Sequence, residues 1–221
     1  AKGGGRGGIV MNGSPLFNGA AESGPSNIRK WLLEHDLVDA IVALPTDMFY
    51  NTGIATYIWI VDNNKPEERQ GKVQLIDGAE LYDDYVDTEH CRIVPIEEFA
   101  YWLVTVERPQ RDEHGEVITN TRGKKQPDTA LRDTERVPFT HGGNTQGDGG
   151  RQETIQAYFD AEVKPYVPDA WVDEKKTKIG YEIPFTRFFY RYHPPRPLEE
   201  IDAELHQVTT EILQLLKEVT E

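Results

Sequence analysis

The first third of the chain carries four apolar runs of strand length. They are continuous rather than alternating, which is typical of strands buried on both faces of a sheet. The runs are "GIVMN" at 8–12, "LVDAIVALP" at 37–45, "GIATYIWIVD" at 53–62 and "GKVQLID" at 71–77. The fourth run follows a polar stretch, and this pattern predicts that it pairs with the third run as a hairpin.

The segment between the first two runs predicts a helix. Ser26 suits the N-cap of "NIRKWLLEHD", and Ile28, Trp31 and Leu32 fall on one helical face. The predicted order is a strand, a helix, a strand and then two strands able to pair antiparallel. This order indicates one end of an α/β sheet. Two or three strands do not make a doubly wound sheet by themselves, so we expect further strands to complete it.

Residues 79–150 change character and predict a mixed β and loop extension. The segment "YWLVTVERP" alternates like a strand, and "GEVIT" is a candidate partner for it. Residues 140–150 contain five glycines and are the best candidate for a mobile loop. Residues 151–166 predict a helix, within a last segment, 151–221, that we expect to be a helical region.

Residues 197–221 show the strongest periodicity in the chain. Pro197 suits a first helical position, and the acidic residues that follow it suit the positive end of the helix dipole. Either the helix packs on its own domain, or it forms a coiled-coil seam for a partner helix. The strict repeat favours the seam because it is narrower than the usual core-facing stripe. The apolar positions are Leu198, Ile201, Leu205, Val208, Ile212, Leu215 and Val219.

Composition and charge narrow the functions that these elements can serve. The chain has 221 residues, of which 38% are hydrophobic and 28% charged, and a formal net charge of −14. A polyanion such as DNA is repelled over most of such a surface, so we expect contact with nucleic acid only through a local patch or a basic partner. No apolar run approaches the ~20 residues of a membrane helix. The start, "AKGGGRGG", is typical of a cut inside a longer protein, and a cytoplasmic location is expected.

Few side chains suggest chemistry by themselves. The single cysteine, Cys91, excludes an internal disulfide, and the six histidines show no pair at helical ligand spacing. We therefore expect no metal site. "GGGRGG" satisfies a G-x-G-x-x-G pattern but no strand precedes it, so a nucleotide loop is not expected. The pairs Asp83/Asp84 and Glu97/Glu98 lack a third ligand and are interpreted as solvated surface.

The segment "FTRFFYRYHPPRP" at 185–197 interleaves aromatic and basic residues. Such a composition stacks on bases and meets phosphates, and it is also that of a protein–protein hot spot. In so acidic a chain we favour packing or a subunit interface, with DNA contact as the alternative. The candidate contact residues are Arg187, Arg191 and Arg196.

Several long blocks, in order, resemble the modification (M) subunit of type I restriction-modification systems. They are "GGIVMNGSPLFNG", "IRKWLLEHDLVDAIVALPTDMFYNTGIATYIWIVDNNKPEERQGKVQLID", "TVERP", "LRDTERVPF", "YVPDAWVDEKKTKIGYEIPFTR" and "PPRPLEEIDAEL". That subunit is a DNA adenine-N6 methyltransferase that uses S-adenosylmethionine. The resemblance spans essentially the whole chain and is weakest at 79–150. It implies an α/β fold: the C-terminal portion of a Rossmann-like methyltransferase sheet with a reversed edge hairpin, followed by a helical C-terminal tail.

The family's catalytic and cofactor motifs do not occur in this sequence. The catalytic motif Asn-Pro-Pro-Phe/Tyr is absent; the similar segment "HPPR" at 193–196 begins with the wrong residue and lies in the wrong part of the chain. The glycine-rich cofactor motif is absent too. The resemblance therefore implies a C-terminal fragment without catalytic or cofactor-binding residues. We expect that it neither binds S-adenosylmethionine nor methylates DNA alone.

The resemblance also implies an organisation and a set of partners. Residues 1–78 would end the methyltransferase domain, 79–150 would form the extension, and 151–221 would carry the docking helix at 197–221. The expected partners are the specificity and restriction subunits of the type I complex, and DNA through that complex. No membrane is expected.

The loop between the second and third runs is where the resemblance points to a substrate. In adenine methyltransferases of this motif order, the loop before the reversed strand lines the pocket for the flipped base, and an aromatic ring stacks on the adenine. By position that ring is Phe49, with Tyr50 next, and Asn51, Thr52 and Gly53 form the turn. Glycine relieves crowding where backbone nears substrate. The alternative is that Phe49 and Tyr50 close the core between helix and sheet.

A non-enzymatic role is the rival hypothesis. An α/β interaction module that forms a homodimer through the heptad helix would show the same periodicity. Sedimentation of the chain with and without a specificity subunit distinguishes the two.

Overall fold

The computed structural model describes residues 3–49, 53–79, 90–144, 147–190, 192 and 194–220, without the side chains of residues 214 and 217–220. Within these ranges the chain forms five α-helices and eight strands in two sheets. It divides into one compact unit, Ala1–Phe189, and a second unit, Tyr190–Glu221. Among the described helices, none is long and apolar enough to cross a membrane.

The first sheet has five strands in the order β1-β3-β2-β4-β5. β3 is antiparallel to both β1 and β2, β4 is parallel to β2, and β5 is antiparallel to β4. The strands β1, β2 and β4 therefore run in one direction. In chain order the five strands are Arg6–Asn12, Val38–Ala43, Thr56–Asp62, Lys72–Asp77 and Cys91–Pro95.

All four apolar runs form strands of this sheet, and the α/β class is confirmed. The predicted pairing of the third run with the fourth is wrong. β3 forms its hairpin with β2, where Ala43 pairs with Tyr57, and it lies inside the sheet between β1 and β2. The reason is the burial of β2: five of its six residues are buried, so this strand needs a neighbour on each side.

The second sheet has three antiparallel strands in the order β7-β6-β8. They are β6 at Ala100–Glu107, β7 at Asp133–Pro138 and β8 at Trp171–Tyr181. The predicted partner of β6, "GEVIT" at 115–119, does not pair with it, because β7 and β8 occupy both sides of β6. β8 also shows that the segment 151–221 is not helical throughout, although the three-segment division itself stays a prediction.

The helices are α1, Ser14–Phe17; α2, Gly24–Glu34; α3, Arg151–Tyr158; α4, Phe185–Phe189; and α5, Leu198–Thr220. A π-helical turn, Phe159–Val163, continues α3, which confirms the helix expected at 151–166. The predicted terminal helix is confirmed by α5. The 23 residues of α5 include every position of the heptad pattern.

The start and the buried face of α2 differ from the prediction. The N-cap is Ser23, with Pro25 in the first turn, so Ser26 lies inside the helix and is buried. The apolar side chains Ile28 and Trp31 are 63% and 53% exposed. The inner face instead carries Ser26, Arg29 and Leu33.

Arg29 takes an inner position because its guanidinium meets three backbone carbonyls. Nε donates to the carbonyl oxygen of Tyr181 at 2.8 Å, and Nη1 donates to those of Pro15 at 3.0 Å and Asn18 at 2.7 Å. A buried charge is tolerated where hydrogen bonds satisfy it. Arg29 thereby joins α2 to β8 and to the segment that follows β1.

A continuous hydrophobic core connects the two sheets. Trp59 from β3 and Leu33 from α2 lie in the same cluster as Phe99 and Trp102. The Trp102 ring stacks on Phe139 with 4.1 Å between centroids. Because this core crosses from one sheet to the other, the two sheets belong to one folded unit.

Residues 108–132, between β6 and β7, form a compact arrangement that we call the three-turn module. Three backbone hydrogen bonds close a ring: Gln110 N–H donates to Gln126 O at 2.8 Å, Gln126 N–H to Ile118 O at 2.9 Å, and Ile118 N–H to Gln110 O at 2.9 Å. Each turn opens on an Asx side chain whose Oδ1 accepts a backbone N–H two residues later. These side chains, eight residues apart, are Asp112, Asn120 and Asp128.

The glycine-rich segment at 140–150, described except for residues 145–146, is attached to the second sheet. Trp102 Nε1 donates to Asp148 Oδ1 at 2.9 Å, and Asn144 Nδ2 donates to the carbonyl of Phe139 at 2.7 Å. These contacts anchor both halves of the segment. Its mobility stays a prediction.

Candidate functional site

The carboxyl ends of β1, β2 and β4 meet at one edge of the first sheet. β1 ends at Asn12, β2 at Ala43 and β4 at Asp77. In open α/β sheets, ligands bind in the crevice outside the carboxyl ends of the strands. The loop at 44–55, which contains the predicted base-contacting residues, leaves the sheet at this edge.

Both ends of the loop are held by the sheet. Leu44 N–H donates to Thr56 O at 2.9 Å, which extends the β2–β3 ladder by one bond, and Pro45 is buried. Among the described residues of the loop, Met48 and Ile54 lie at the surface, and Phe49 is 41% exposed. Asp47 has a left-handed backbone with φ of 62°, which turns the chain here.

The described part of the predicted base-contacting set is Phe49 and Gly53. A Cβ on Gly53 would lie 3.3 Å from Asp47 Oδ1, so glycine permits a close approach between the two arms of the loop. Tyr50, Asn51 and Thr52 lie outside the described residues. The roles given to all five stay predictions.

Tyr57 pairs with Ala43 where the loop leaves β2, and it is buried at this end of the sheet. Its ring meets Phe185 edge-on with 5.4 Å between centroids, and a Cβ on Gly13 would lie 3.3 Å from Tyr57 Cε2. Burial, with the nearby Asp77 carboxylate, raises the pKa of the Tyr57 phenol above its usual value. The raised pKa keeps the phenol neutral at and above physiological pH. Its ring is packed against its neighbours at this edge of the sheet.

The turn that follows β1 is not a glycine-rich loop. A nucleotide site at a strand end needs a glycine-rich turn whose amides approach the ligand. After β1 the turn is Gly13-Ser14-Pro15, and Ser14 N–H donates instead to Asn12 Oδ1 at 3.1 Å. A side chain at Gly13 would crowd the Tyr57 ring. Within the described residues no three His, Cys, Asp or Glu side chains come together as a metal site.

The heptad positions of α5 are exposed wherever their side chains are described. Leu205, Val208 and Ile212 are 59%, 51% and 52% exposed, and Leu198, Ile201 and Leu215 are exposed as well. The side chain of Val219 lies outside the described residues. These apolar side chains are exposed along α5, and the subunit-interface role assigned to them stays a prediction.

The aromatic and basic segment splits into an inner and an outer part. Phe185 is buried, and Phe188 and Phe189 pack against the core, with 6.0 Å between the Phe188 and Phe99 centroids. Tyr190 and Tyr192 are exposed. The phenylalanines are thus core residues, a role that their aromatic composition did not distinguish from an interface.

The three arginines proposed as contacts differ in their surroundings. Arg187 is exposed on α4, and Arg196 Nη1 lies 2.6 Å from Glu204 Oε1. Arg191 lies outside the described residues. The adjacent carboxylates Glu97 and Glu98 are exposed, and Asp83 and Asp84 lie outside the described residues.

An open cleft of about 490 Å³ lies between α3 and β8, away from the loop at 44–55. Its lining combines Arg151 and Lys175 with Glu174 and the amides of Gln152 and Gln156. None of the predicted site residues lies in it.

A partly parallel sheet with an extended loop at its carboxyl edge defines an α/β protein of the kind that binds substrates beyond the strand ends. The family model for "N-6 DNA Methylase" matches residues 1–111, which include that sheet and loop. The chain belongs to the N-6 DNA methylase family.

Individual relatives are similar over part of the chain. The chain is 42% identical over 72 residues to the type I restriction enzyme MjaVII methylase subunit of Methanocaldococcus jannaschii, a match that covers 33% of this chain and 12% of that protein. It is 41% identical over 69 residues to the HindI methylase subunit of Haemophilus influenzae, covering 30% and 15%. A type I methyltransferase subunit from Streptococcus thermophilus of known structure gives a TM-score of 0.35 at 24% identity, covering 42% of this chain and 24% of that one. The chain thus spans a small part of the relatives' length.

Proposed function

We propose that this chain is part of the modification subunit of a type I restriction-modification enzyme. The intact enzyme transfers a methyl group from S-adenosylmethionine to N6 of adenine in DNA. The observation that carries this proposal is the family match over residues 1–111, which contain the whole first sheet and the loop at 44–55. The curated relatives, each described as a methylase subunit of a type I restriction enzyme, support it.

Within that enzyme, the loop at 44–55 is one wall of the pocket for the flipped adenine. Phe49 stacks on the base, and Tyr50, Asn51, Thr52 and Gly53 complete the turn. Three features support this: the position at the carboxyl edge, the fixed loop ends and the exposed Phe49 ring. A ring of the core would be expected at much lower exposure.

The catalytic motif and the cofactor site belong to another part of the subunit. The supporting observations are the absence of Asn-Pro-Pro-Phe/Tyr from the sequence and the turn after β1, which is occupied by its own packing. The chain alone is therefore expected to bind no S-adenosylmethionine. Micromolar binding detected by calorimetry would contradict this division of roles.

The exposed heptad positions of α5, which we call the α5 stripe, dock a helix of the specificity subunit. The restriction subunit joins the same complex. DNA is reached through that complex. The exposure of Leu205, Val208 and Ile212 supports a helical partner, since a coiled-coil seam needs apolar a and d positions free to interdigitate. A tight homodimer of the chain that ignores the specificity subunit would favour the non-enzymatic rival.

The test is methyl transfer by the intact subunit assembled with its specificity subunit. Plasmid DNA from a host without the system is incubated with S-adenosylmethionine, and N6-methyladenine is measured by mass spectrometry. We expect the modified base with the intact assembly and none with the 221-residue chain. An assembled, folded enzyme that forms no N6-methyladenine would rule the proposal out.

A further inference from the structure

The three-turn module presents unpaired positive charge in an acidic chain. The chain carries a net charge of −14, yet residues 117–127, which span the middle turn, contain three cations and no carboxylate. The cations are Arg122, Lys124 and Lys125, all exposed. We call residues 120–125 the basic tip.

The other cations of the module are used to attach it. Arg111 Nη2 lies 2.9 Å and Arg108 Nε 3.5 Å from the carboxylate of Asp169. Arg132 Nε lies 2.9 Å from Oε1 of Glu107, a carboxylate at the end of β6 that is only 1% exposed. These charges are neutralised at the base of the module.

The basic tip has no such partners within the described residues. No ion pair or side-chain hydrogen bond of Arg122 or Lys124 is found there, and Lys125 Nζ lies 5.8 Å from the centroid of the Trp171 ring. Two of the three charges at the tip thus remain available for a ligand.

The backbone of the tip is fixed. Asn120 Oδ1 accepts the N–H groups of Arg122 at 2.9 Å and Lys124 at 3.1 Å, and Gly123 has a φ of +74° that favours glycine. Asn120 N–H donates to Lys124 O at 2.9 Å, which closes the turn on the ring of the module. The two cations are presented with little backbone entropy to lose on binding.

We propose that the basic tip contacts the phosphate backbone of DNA through Arg122 and Lys124. This inference rests on the proposed function, because it takes DNA as the polyanion. A chain repelled by phosphates over most of its surface needs a local, unpaired cation cluster to approach them. The neighbouring turn carries Asp112, Glu113 and Glu116, so DNA meets the module at the tip and not across its whole face.

The contact is independent of base sequence. Side chains that reach phosphates fix position on the duplex, whereas base edges specify sequence. Each phosphate contact lowers the slope of log affinity against log salt by about 0.9, so two contacts contribute about 1.8. When salt is raised from about 50 to about 200 mM, a protein without these two contacts should lose about twelvefold less affinity for DNA than wild type does.

The experiment measures that slope for the intact subunit assembled with its specificity subunit, by fluorescence anisotropy of a labelled duplex. The variant is Arg122→Gln with Lys124→Gln. The control is Lys164→Gln with Lys178→Gln, which removes the same charge from exposed ion pairs with Asp160 and Glu22. Arg122→Lys keeps a cation at the tip.

We expect the tip variant to make the negative slope shallower by about 1.8, and the control and Arg122→Lys variants to keep the wild-type slope. An unchanged slope in a folded tip variant overturns the inference alone. An equal loss in the control shows an effect of net charge and also overturns it. Weaker subunit assembly at an unchanged slope would assign the tip to an acidic protein surface instead. If the wild-type assembly neither binds nor methylates DNA, the proposed function itself fails.

Discussion

Replacing Phe49 by alanine separates the two interpretations of the loop at 44–55. As a pocket residue, Phe49 touches the adenine and little else. As a core residue, it supports the sheet. The matched comparison is Phe99→Ala, because Phe99 is 1% exposed and Phe49 is 41% exposed.

The magnitudes follow from these exposures. Truncating a fully buried phenylalanine costs about 3–5 kcal/mol, which we expect for Phe99→Ala. At the burial of Phe49, the transfer contribution is about 1–2 kcal/mol. Loss of a base–aromatic stack costs about 1–3 kcal/mol, which would lower kcat/KM of methyl transfer roughly 5- to 150-fold.

The assay combines urea unfolding of the chain with methyl-transfer kinetics of the intact assembly. 2-Aminopurine at the target position reports whether the base is held in the pocket. Phe49→Trp keeps a ring and should keep most of the activity. If Phe49→Ala destabilises the chain as much as Phe99→Ala does, Phe49 is a core residue. If a folded Phe49→Ala enzyme methylates as fast as wild type, the pocket role is refuted.

Three further predictions concern the rest of the chain. Arg29→Met should lower the free energy of unfolding by about 3 kcal/mol, because it removes the donor from one buried and two partly buried hydrogen bonds to backbone carbonyls, whereas Arg187→Met at an exposed site should change it by less than about 0.5 kcal/mol. Leu205→Asp with Ile212→Asp should abolish assembly with the specificity subunit in pull-down assays and leave the unfolding midpoint unchanged, since both side chains are exposed. Burial raises the pKa of Tyr181, so the folded chain keeps a proton that the unfolded chain loses above about pH 10, and wild type should lose stability there faster than Tyr181→Phe.

Each of these has an outcome that contradicts it. Equal unfolding free energies for the two arginine variants would mean that water replaces Arg29 as the hydrogen-bond donor to these carbonyls. Normal assembly of the double aspartate variant would exclude the α5 stripe as the docking surface. Parallel pH profiles above about pH 10 for wild type and Tyr181→Phe would show that the Tyr181 proton is not linked to folding.

The elements with a clear hydrophobic pattern, either a continuous apolar run or a regular repeat, were predictable from sequence. The four apolar runs became strands, and the spacing from Leu198 to Val219 became α5. The order of the strands was not predictable, because adjacency along the chain favours pairing the third run with the fourth. β3 lies instead beside β2, whose near-complete burial requires two neighbours.

Other structural features were not predicted, for reasons local to each segment. β8 reads "WVDEKKTKIGY", and its middle residues are exposed, so hydrophobicity gave no strand signal. In α2, the inner position is filled by Arg29 while Ile28 and Trp31 face outwards, which reverses the usual amphipathic pattern. The three-turn module did leave a trace: Asx residues at 112, 120 and 128, eight residues apart.

The hairpin of β2 and β3 has a consequence for how the loop between its strands can diversify. Its two strands lie inside the sheet, each with a neighbour on either side, and the bond from Leu44 to Thr56 closes the ladder where the loop begins. Residues 45–55 can therefore be exchanged without altering the two strands that flank them. The length and side chains of this segment can vary without a change of strand register, so the surface that the loop presents can evolve while the scaffold is kept.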